Sequence, residues 1–190
     1  GMTGASASRY IQQSNGIHVD VQSVAGELSD HFDPRTNVIR LSTPVYDRAT
    51  VAAVGVAAHE TGHALQHAEG YAPVKLRTKM VPVTNFASTI SPILILAGIL
   101  LSMDPLAYAG IALFSVATLF QLVTLPVEFN ASRRAVVALE SCGQFTEDEL
   151  KGVKKVLTAA ALTYVAALLV SFMNLLRLIL LVGGNNRRRR

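Results

Sequence analysis

Ser91-Pro92-Ile93-Leu94-Ile95-Leu96-Ala97-Gly98-Ile99-Leu100-Leu101 presents no polar face at helical spacing, and its reading decides the fold. A helix on the surface of a soluble domain keeps a charged or polar stripe toward water, and this one has none. The run sits inside a longer charge-free stretch, residues 80 to 103, bounded by Lys79 and Asp104. A second stretch, residues 105 to 127, runs without charge from Asp104 to Glu128. A third, residues 156 to 182, carries Arg177 near its far end, where a long cationic side chain can snorkel to the interface. Each exceeds the ~20 residues that span a bilayer. Asp104-Pro105 predicts a very short turn, so the first two form an antiparallel hairpin. The 190-residue chain is 51% hydrophobic with a mean hydropathy of +0.38. A soluble bundle with apolar core helices is the competing reading, and the missing polar faces argue against it.

The first half is different. Residues 1 to 79 form a mixed unit in which Ala5 to Gln13 predicts a short helix. Ile17 to Gln22 alternates apolar and polar residues as a half-buried strand does. Asn37 to Ser42 predicts a second strand after the turn Asp33-Pro34-Arg35. Residues 128 to 155 lead back to the membrane. They include Thr146-Glu147-Asp148-Glu149, a capping-box pattern that opens one long helix. Residues 183 to 190 form a basic tail, read as a solvated membrane flank with no role in nucleic-acid binding. The single Cys142 excludes an intramolecular disulfide.

The chemistry lies in Val51 to Ala68, an alanine-rich helix candidate that contains His59-Glu60-Thr61-Gly62-His63. Histidines at i and i+4 share a helical face, roughly 6 Å apart along the axis. Two neutral imidazoles there can grip one Zn²⁺, and Glu60 reaches the activated water as general base. The alternative, an incidental pair of histidines on a buried helix, leaves the small residues Ala57, Ala58, Gly62 and Ala64 around the motif without a purpose.

A catalytic zinc needs a third protein ligand. His67 continues the spacing but lies about 12 Å up the helix from His59, too far for one ion. It reads as a supporting or surface residue. Topology offers another choice. The metal helix precedes the first crossing, and two crossings return the chain to the same side. Glu128 is the first acid to emerge there, whereas Asp104 sits at the opposite face. Glu140, Glu147 and Glu149 are on the correct side but come later.

Three separated segments resemble the YugP-like family of membrane zinc metallopeptidases: Gly26 to Arg35, Val56 to His67 and Leu125 to Ala135. The resemblance extends through Thr163-Tyr164-Val165-Ala166. Members usually open with one more membrane helix, so a trimmed N terminus ahead of Gly1-Met2 is expected. Glu128-Phe129-Asn130-Ala131-Ser132 is also similar to the Glu-x-x-Ala-Asp element of HtpX-type peptidases, which have a gluzincin-type site. That match implies Glu128 as the third ligand. Ser132 stands where those enzymes carry an Asp that supports a ligating His, so the support must differ here.

The expectation is a mainly α integral membrane protein. It has three transmembrane helices and a small α+β zincin-like catalytic unit with short strands. His59, His63 and Glu128 hold Zn²⁺, Glu60 is the base, and His31, Tyr164, Arg134 and Ser132 are candidates for oxyanion stabilisation or ligand support. For His31, in Asp30-His31-Phe32-Asp33, a loop held by the aspartates is the stronger reading. Val38 to Ser42 is either an edge strand for extended substrate or a plain structural strand, the second being at least as strong a reading. The function expected is a zinc metalloendopeptidase of the cell membrane. It would cut membrane proteins or peptides near the bilayer surface, with protein partners or self-association open. Counting basic residues favours a cytoplasmic catalytic side, while the four terminal arginines on the opposite side argue against it. The alternative is a membrane adaptor or pseudo-peptidase with a structural zinc site.

Overall fold

The computed structural model describes residues 1–187, with side chains to residue 184; residues 188–190 of the expected basic tail lie outside the described residues. The chain is predominantly helical and divides into two compact units, residues 1–74 with 127–162, and residues 75–126 with 163 onward.

The first unit is organised around α3 (Val51–Ala68), which follows the short helix α2 (Thr43–Asp47). Thr50 caps its N-terminus by accepting from the Ala53 amide at 3.2 Å. Its C-terminus closes with Gly70 at φ +67°, the Gly70 amide donating to His67 O at 3.1 Å and the Tyr71 amide to Gln66 O at 2.9 Å. That paired arrangement requires a residue tolerant of positive φ, which is why a glycine follows the helix. One face of α3 packs through Val54, Ala58 and Leu65 against Ala7 and Ile11 of α1 (Gly4–Ser14). The same cluster takes in Ala135 and Leu139 of α5 (Asp104–Cys142) and Val153 and Leu157 of α6 (Glu147–Arg187). Another face, through Ala57 and Ala64, meets Val21, Ile39 and Leu41 of the sheet. The alanines explain how one helix can be embraced from both sides: each leaves room for a neighbouring backbone.

The sheet has three strands in the order β1-β3-β2. β1 (Asp20–Val24) runs parallel to β3 (Val38–Ser42), with Val21 opposite Ile39. β2 (His31–Asp33) runs antiparallel to β3, with Phe32 opposite Ile39. Two sequence expectations change here. First, β1 begins at Asp20 and not at Ile17. The Ile17 amide donates to Gln12 O at 3.1 Å and the Val19 amide to Gln12 Oε1 at 2.7 Å, so the end of α1 claims these groups before a ladder can form. Second, Val38–Ser42 is the central strand, and the strand beyond it on the β2 side is His31–Asp33 itself. Val38, Ile39, Leu41 and Ser42 are all buried. His31 therefore lies on a strand, not in a loop. Its flanking aspartates do tie down the neighbouring turns. Asp30 accepts from the Ser42 amide at 2.8 Å, and Asp33 from the Arg35 amide at 2.9 Å and Thr36 Oγ1 at 2.9 Å.

The second unit contains most of α4 (Ala72–Leu100), the first part of α5 and the second part of α6. All three helices are long and apolar enough to cross a membrane. Leu96, Ile99, Leu122, Leu169, Phe172 and Leu180 are exposed, an arrangement that suits lipid and not water. Small residues bring α4 and α5 close: a Cβ at Gly98 would meet Ala107, and one at Gly110 would meet the Ser91 carbonyl oxygen at 2.9 Å. The turn of the hairpin is residues 101–103. Asp104-Pro105 opens α5 instead of forming the turn, because Pro suits the first helical turn and an acid suits the positive end of the dipole. Thr146 and Glu149 form the anticipated reciprocal cap, with the Thr146 amide donating to Glu149 Oε2 at 2.8 Å and the Glu149 amide to Thr146 Oγ1 at 3.2 Å.

Candidate metal centre

Helix spacing puts His59, His63 and Gln66 on one face of α3, and the same logic puts Val127, Glu128, Ala131 and Ala135 on one buried face of α5. The two faces meet at Gly62. A Cβ there would stand 2.5 Å from the carbonyl oxygen of Ala131, so the crossing exists because residue 62 has no side chain. That approach carries Glu128 to the histidines. Its Oε2 lies 3.2 Å from His59 Nε2 and 3.5 Å from His63 Nε2. The imidazole rings meet edge to face with centroids 4.7 Å apart.

His59, His63 and Glu128 could hold a metal ion, with their donor atoms all within 4.8 Å of one another. The donor set fits zinc in both chemistry and size. Two imidazole nitrogens and a carboxylate oxygen are ordinary zinc ligands. Donors about 2.0–2.1 Å from a tetrahedral ion lie roughly 3.3–3.4 Å from each other, and the two edges from Glu128 to the histidines straddle that value. The Glu128 carboxylate is only 2% exposed, an environment in which a negative charge demands compensation.

The far nitrogens of both rings are engaged. His59 Nδ1 lies 3.1 Å from Ser132 Oγ, so a hydroxyl occupies the supporting position where the similar element carries Asp. His63 Nδ1 lies 3.0 Å from Gln66 Oε1. Burial pushes the His63 imidazole toward the neutral form. The hydrogen bond to Glu128, the charges of Glu60 and Glu128, and the contact to Gln66 outweigh it and raise the pKa.

Glu60 is 9% exposed, and its Oε2 accepts from the Phe32 amide at 3.0 Å. The amide of β2 that points away from β3 thus faces the acid of the motif. The other sequence candidates fall in distinct places. His31 is exposed on β2, its Nδ1 2.8 Å from Ser29 O. Arg134 forms a two-pronged pair with Glu69, at 2.6 and 2.7 Å, and donates through Nε to Asn130 Oδ1 at 2.7 Å. That pair lowers the Glu69 pKa and raises that of Arg134. Tyr164 belongs to the second unit. His67 is exposed, with its ring 5.6 Å from that of Phe32. Of the later acids, Glu140 pairs with Lys154 at 2.6 Å and Glu149 caps α6, so both carboxylates serve elsewhere. Sequence reasoning overlooked Gln66, Asn130 and Glu69. The signal for Gln66 was available, since it stands three residues after His63 and seven after His59 on the same face.

Comparison with known proteins agrees with this chemistry. Residues 1–183 match the family described as "Putative neutral zinc metallopeptidase". The chain is 53% identical over 182 residues to "Putative membrane protease YugP" of Bacillus subtilis (strain 168), covering 95% of this chain and 81% of that protein. No solved structure matches. A membrane protein with three apolar helices and a histidine–histidine–glutamate donor group, this chain belongs to the neutral zinc metallopeptidase family.

Proposed function

We propose that this protein is a zincin-like membrane metalloendopeptidase. His59, His63 and Glu128 hold the zinc, and Glu60 is the general base. The observation that carries the reading is the convergence of three donors beside an acid that is itself anchored to a strand. A catalytic zinc takes three protein ligands, which is the number in this group. When bound, zinc polarises the scissile carbonyl and brings water toward a pKa of ~7. Glu60 takes the proton of the attacking water and passes it to the leaving amine. The Phe32 amide holds the carboxylate in place until substrate arrives.

β2 is the strand proposed to receive an extended peptide, in place of the β3 segment expected from sequence. It borders β3 on one side only, and its Phe32 amide already faces the site. Among the oxyanion candidates, Arg134 is committed to Glu69 and Asn130, and Ser132 to His59. His31, exposed on β2, and Tyr164 are the ones retained.

The proposed substrates are membrane proteins or peptides cut near the bilayer surface. The sequence supports this: Glu128 follows directly on the second charge-free stretch, residues 105 to 127. Lys75, Arg77, Lys79, Arg133, Arg134, Lys151, Lys154 and Lys155 flank the catalytic segments and favour a cytoplasmic catalytic side. The test is zinc analysis and proteolysis of purified wild type, Glu60→Gln and His59→Ala. Glu60→Gln should keep zinc and lose about 10²-fold or more in hydrolysis. His59→Ala should lose zinc. Proteolysis surviving in Glu60→Gln would sink the mechanism. Equal cleavage of soluble casein and membrane-embedded substrates would remove the substrate proposal alone.

A further inference from the structure

A chain of four side chains runs from the protein surface to His63, and each link has a forced direction. Arg134 can only donate, so the Asn130 atom 2.7 Å from its Nε must be the carbonyl oxygen Oδ1. A backbone carbonyl can only accept, so the Gln66 atom 2.8 Å from Val127 O must be Nε2. That same Nε2 donates to Asn130 Oδ1 at 2.9 Å. Gln66 therefore has one orientation, with Oε1 toward His63 Nδ1 at 3.0 Å. An amide oxygen can only accept. His63 must therefore carry a proton on Nδ1, and Nε2, which faces Glu128, is the nitrogen left to bind a metal when the ring is neutral.

The chain matters because Glu128 works against it. A buried carboxylate 3.5 Å from His63 Nε2 favours a proton on that nitrogen, the tautomer that cannot ligate. Gln66 is fully buried and opposes this from the other side of the ring. Its own orientation is held by a backbone carbonyl and by Asn130. Asn130 is held in turn by Arg134, four residues on along α5. The Glu69–Arg134 pair is partly in solvent and adds little binding free energy by itself. What it contributes is direction: with Glu69 on two of its nitrogens, Arg134 presents Nε to Asn130.

The geometry points to Gln66 as the positioning residue that sets the His63 tautomer for zinc, with Asn130, Arg134 and Glu69 fixing Gln66 in turn. This rests on the reading that His63 is a zinc ligand. Outer partners of metal-bound histidines are typically worth about 10–100-fold in metal affinity, and that is the loss expected when Gln66 is replaced.

The experiment uses the full chain in detergent and reads two quantities: zinc affinity against a chromophoric chelator, and the protected imidazole Nδ1–H signal of His63 in the zinc-loaded, ¹⁵N-histidine-labelled protein. Gln66→Met keeps the length of the side chain and removes the amide. It should weaken zinc about 10–100-fold and abolish the Nδ1–H protection. Asn130→Asp keeps acceptor oxygens for both Gln66 and Arg134 and should stay near wild type; Asn130→Leu should fall toward Gln66→Met. Wild-type affinity or a retained signal in Gln66→Met overturns the proposal. Should Gln66→Met fail to fold, Asn130→Leu decides alone, and wild-type behaviour there is equally fatal. His63→Ala separates the two levels of argument. If it binds zinc as wild type does, the metal-site reading itself has failed, whatever Gln66 does.

Discussion

Replacing Gly62 with alanine sets two physical effects against each other, and the structure says which one wins. In the interior of a helix, alanine is normally more stable than glycine by about 0.5–1 kcal/mol, because glycine loses more backbone freedom on folding. At Gly62 the added Cβ would lie 2.5 Å from Ala131 O, 3.1 Å from Ala131 C and 3.2 Å from Ala131 Cα. All three are backbone atoms of α5, so no side chain can swing aside. α3 and α5 must separate by about 0.5 Å or more, and overpacking of this kind typically costs ~1–3 kcal/mol. The net expectation is a loss of about 0–2.5 kcal/mol in stability. The larger consequence is at the metal. Glu128 sits three residues before Ala131 on α5, while both histidines ride on α3. Zinc–ligand distances tolerate about ±0.2 Å, so the separation should pull the carboxylate out of range and weaken zinc at least about tenfold. The control lies on the same helix. A Cβ at Gly55 would meet Val153 at ordinary contact distance, Cγ1 at 3.6 Å and Cγ2 at 4.0 Å, so Gly55→Ala should be neutral or stabilising. Chelator competition and denaturant unfolding of both variants make the comparison. The reasoning is refuted if Gly62→Ala binds zinc like wild type and gains stability as Gly55→Ala does.

Three further outcomes are expected. Ser132→Asp would replace the hydroxyl 3.1 Å from His59 Nδ1 with a carboxylate, raise the basicity of the imidazole and tighten zinc by about tenfold; weaker binding would show that Ser132 does not support His59. The Asp33 carboxyl is held down at about 2, chiefly by the Arg35 amide and then by the Thr36 hydroxyl, so its contribution to the β2–β3 turn is present above pH 3.8 and lost as the pH falls through about 2. Amide exchange at Arg35 should therefore be slower in wild type than in Asp33→Asn at pH 5 and converge near pH 2, and no difference at either pH would remove this account. In the second unit, Thr118 and Ser171 share a buried hydrogen bond of 2.8 Å between α5 and α6. A double-mutant cycle with Thr118→Val and Ser171→Ala should return a coupling of about 0.6 kcal/mol and no more than ~1.7; zero coupling would mean that the contact is incidental.

How much of this was legible depends on whether a feature is local in the chain. The three apolar helices could be read directly, because freedom from charge over twenty residues is a one-dimensional property. The pairing of His59 with His63 could be read because one helical turn fixes it. Strand order could not. The apolar residues of Val38–Ser42 suggest a strand but do not say whether it pairs on one side or on both, so edge and structural readings stayed open until the strand order placed it at the centre. The support of His63 could not be read either. Gln66 meets Val127 and Asn130 across 61 and 64 residues, through a helix crossing that exists only because residue 62 is glycine.

That crossing explains why Glu128-Phe129-Asn130-Ala131-Ser132 behaves as one unit. Positions 128 and 132 are one turn apart on α5, so they reach the two nitrogens of the same imidazole: Glu128 at His59 Nε2, Ser132 at His59 Nδ1. Ala131 lies between them at the point of closest approach, where its carbonyl oxygen faces Gly62. Asn130 is rotated toward the other histidine and fixes Gln66, the partner of His63. Phe129 alone turns outward, with 48% of its surface exposed. Four of five consecutive residues thus address α3, two through His59, one through Gln66 and one through the backbone. A substitution at any of them alters a relationship between helices and not just a side chain. Only Phe129 should be freely exchangeable among apolar residues, with zinc affinity unchanged. If Phe129→Leu weakened zinc as much as Asn130→Leu, the division of labour along this turn of α5 would be wrong.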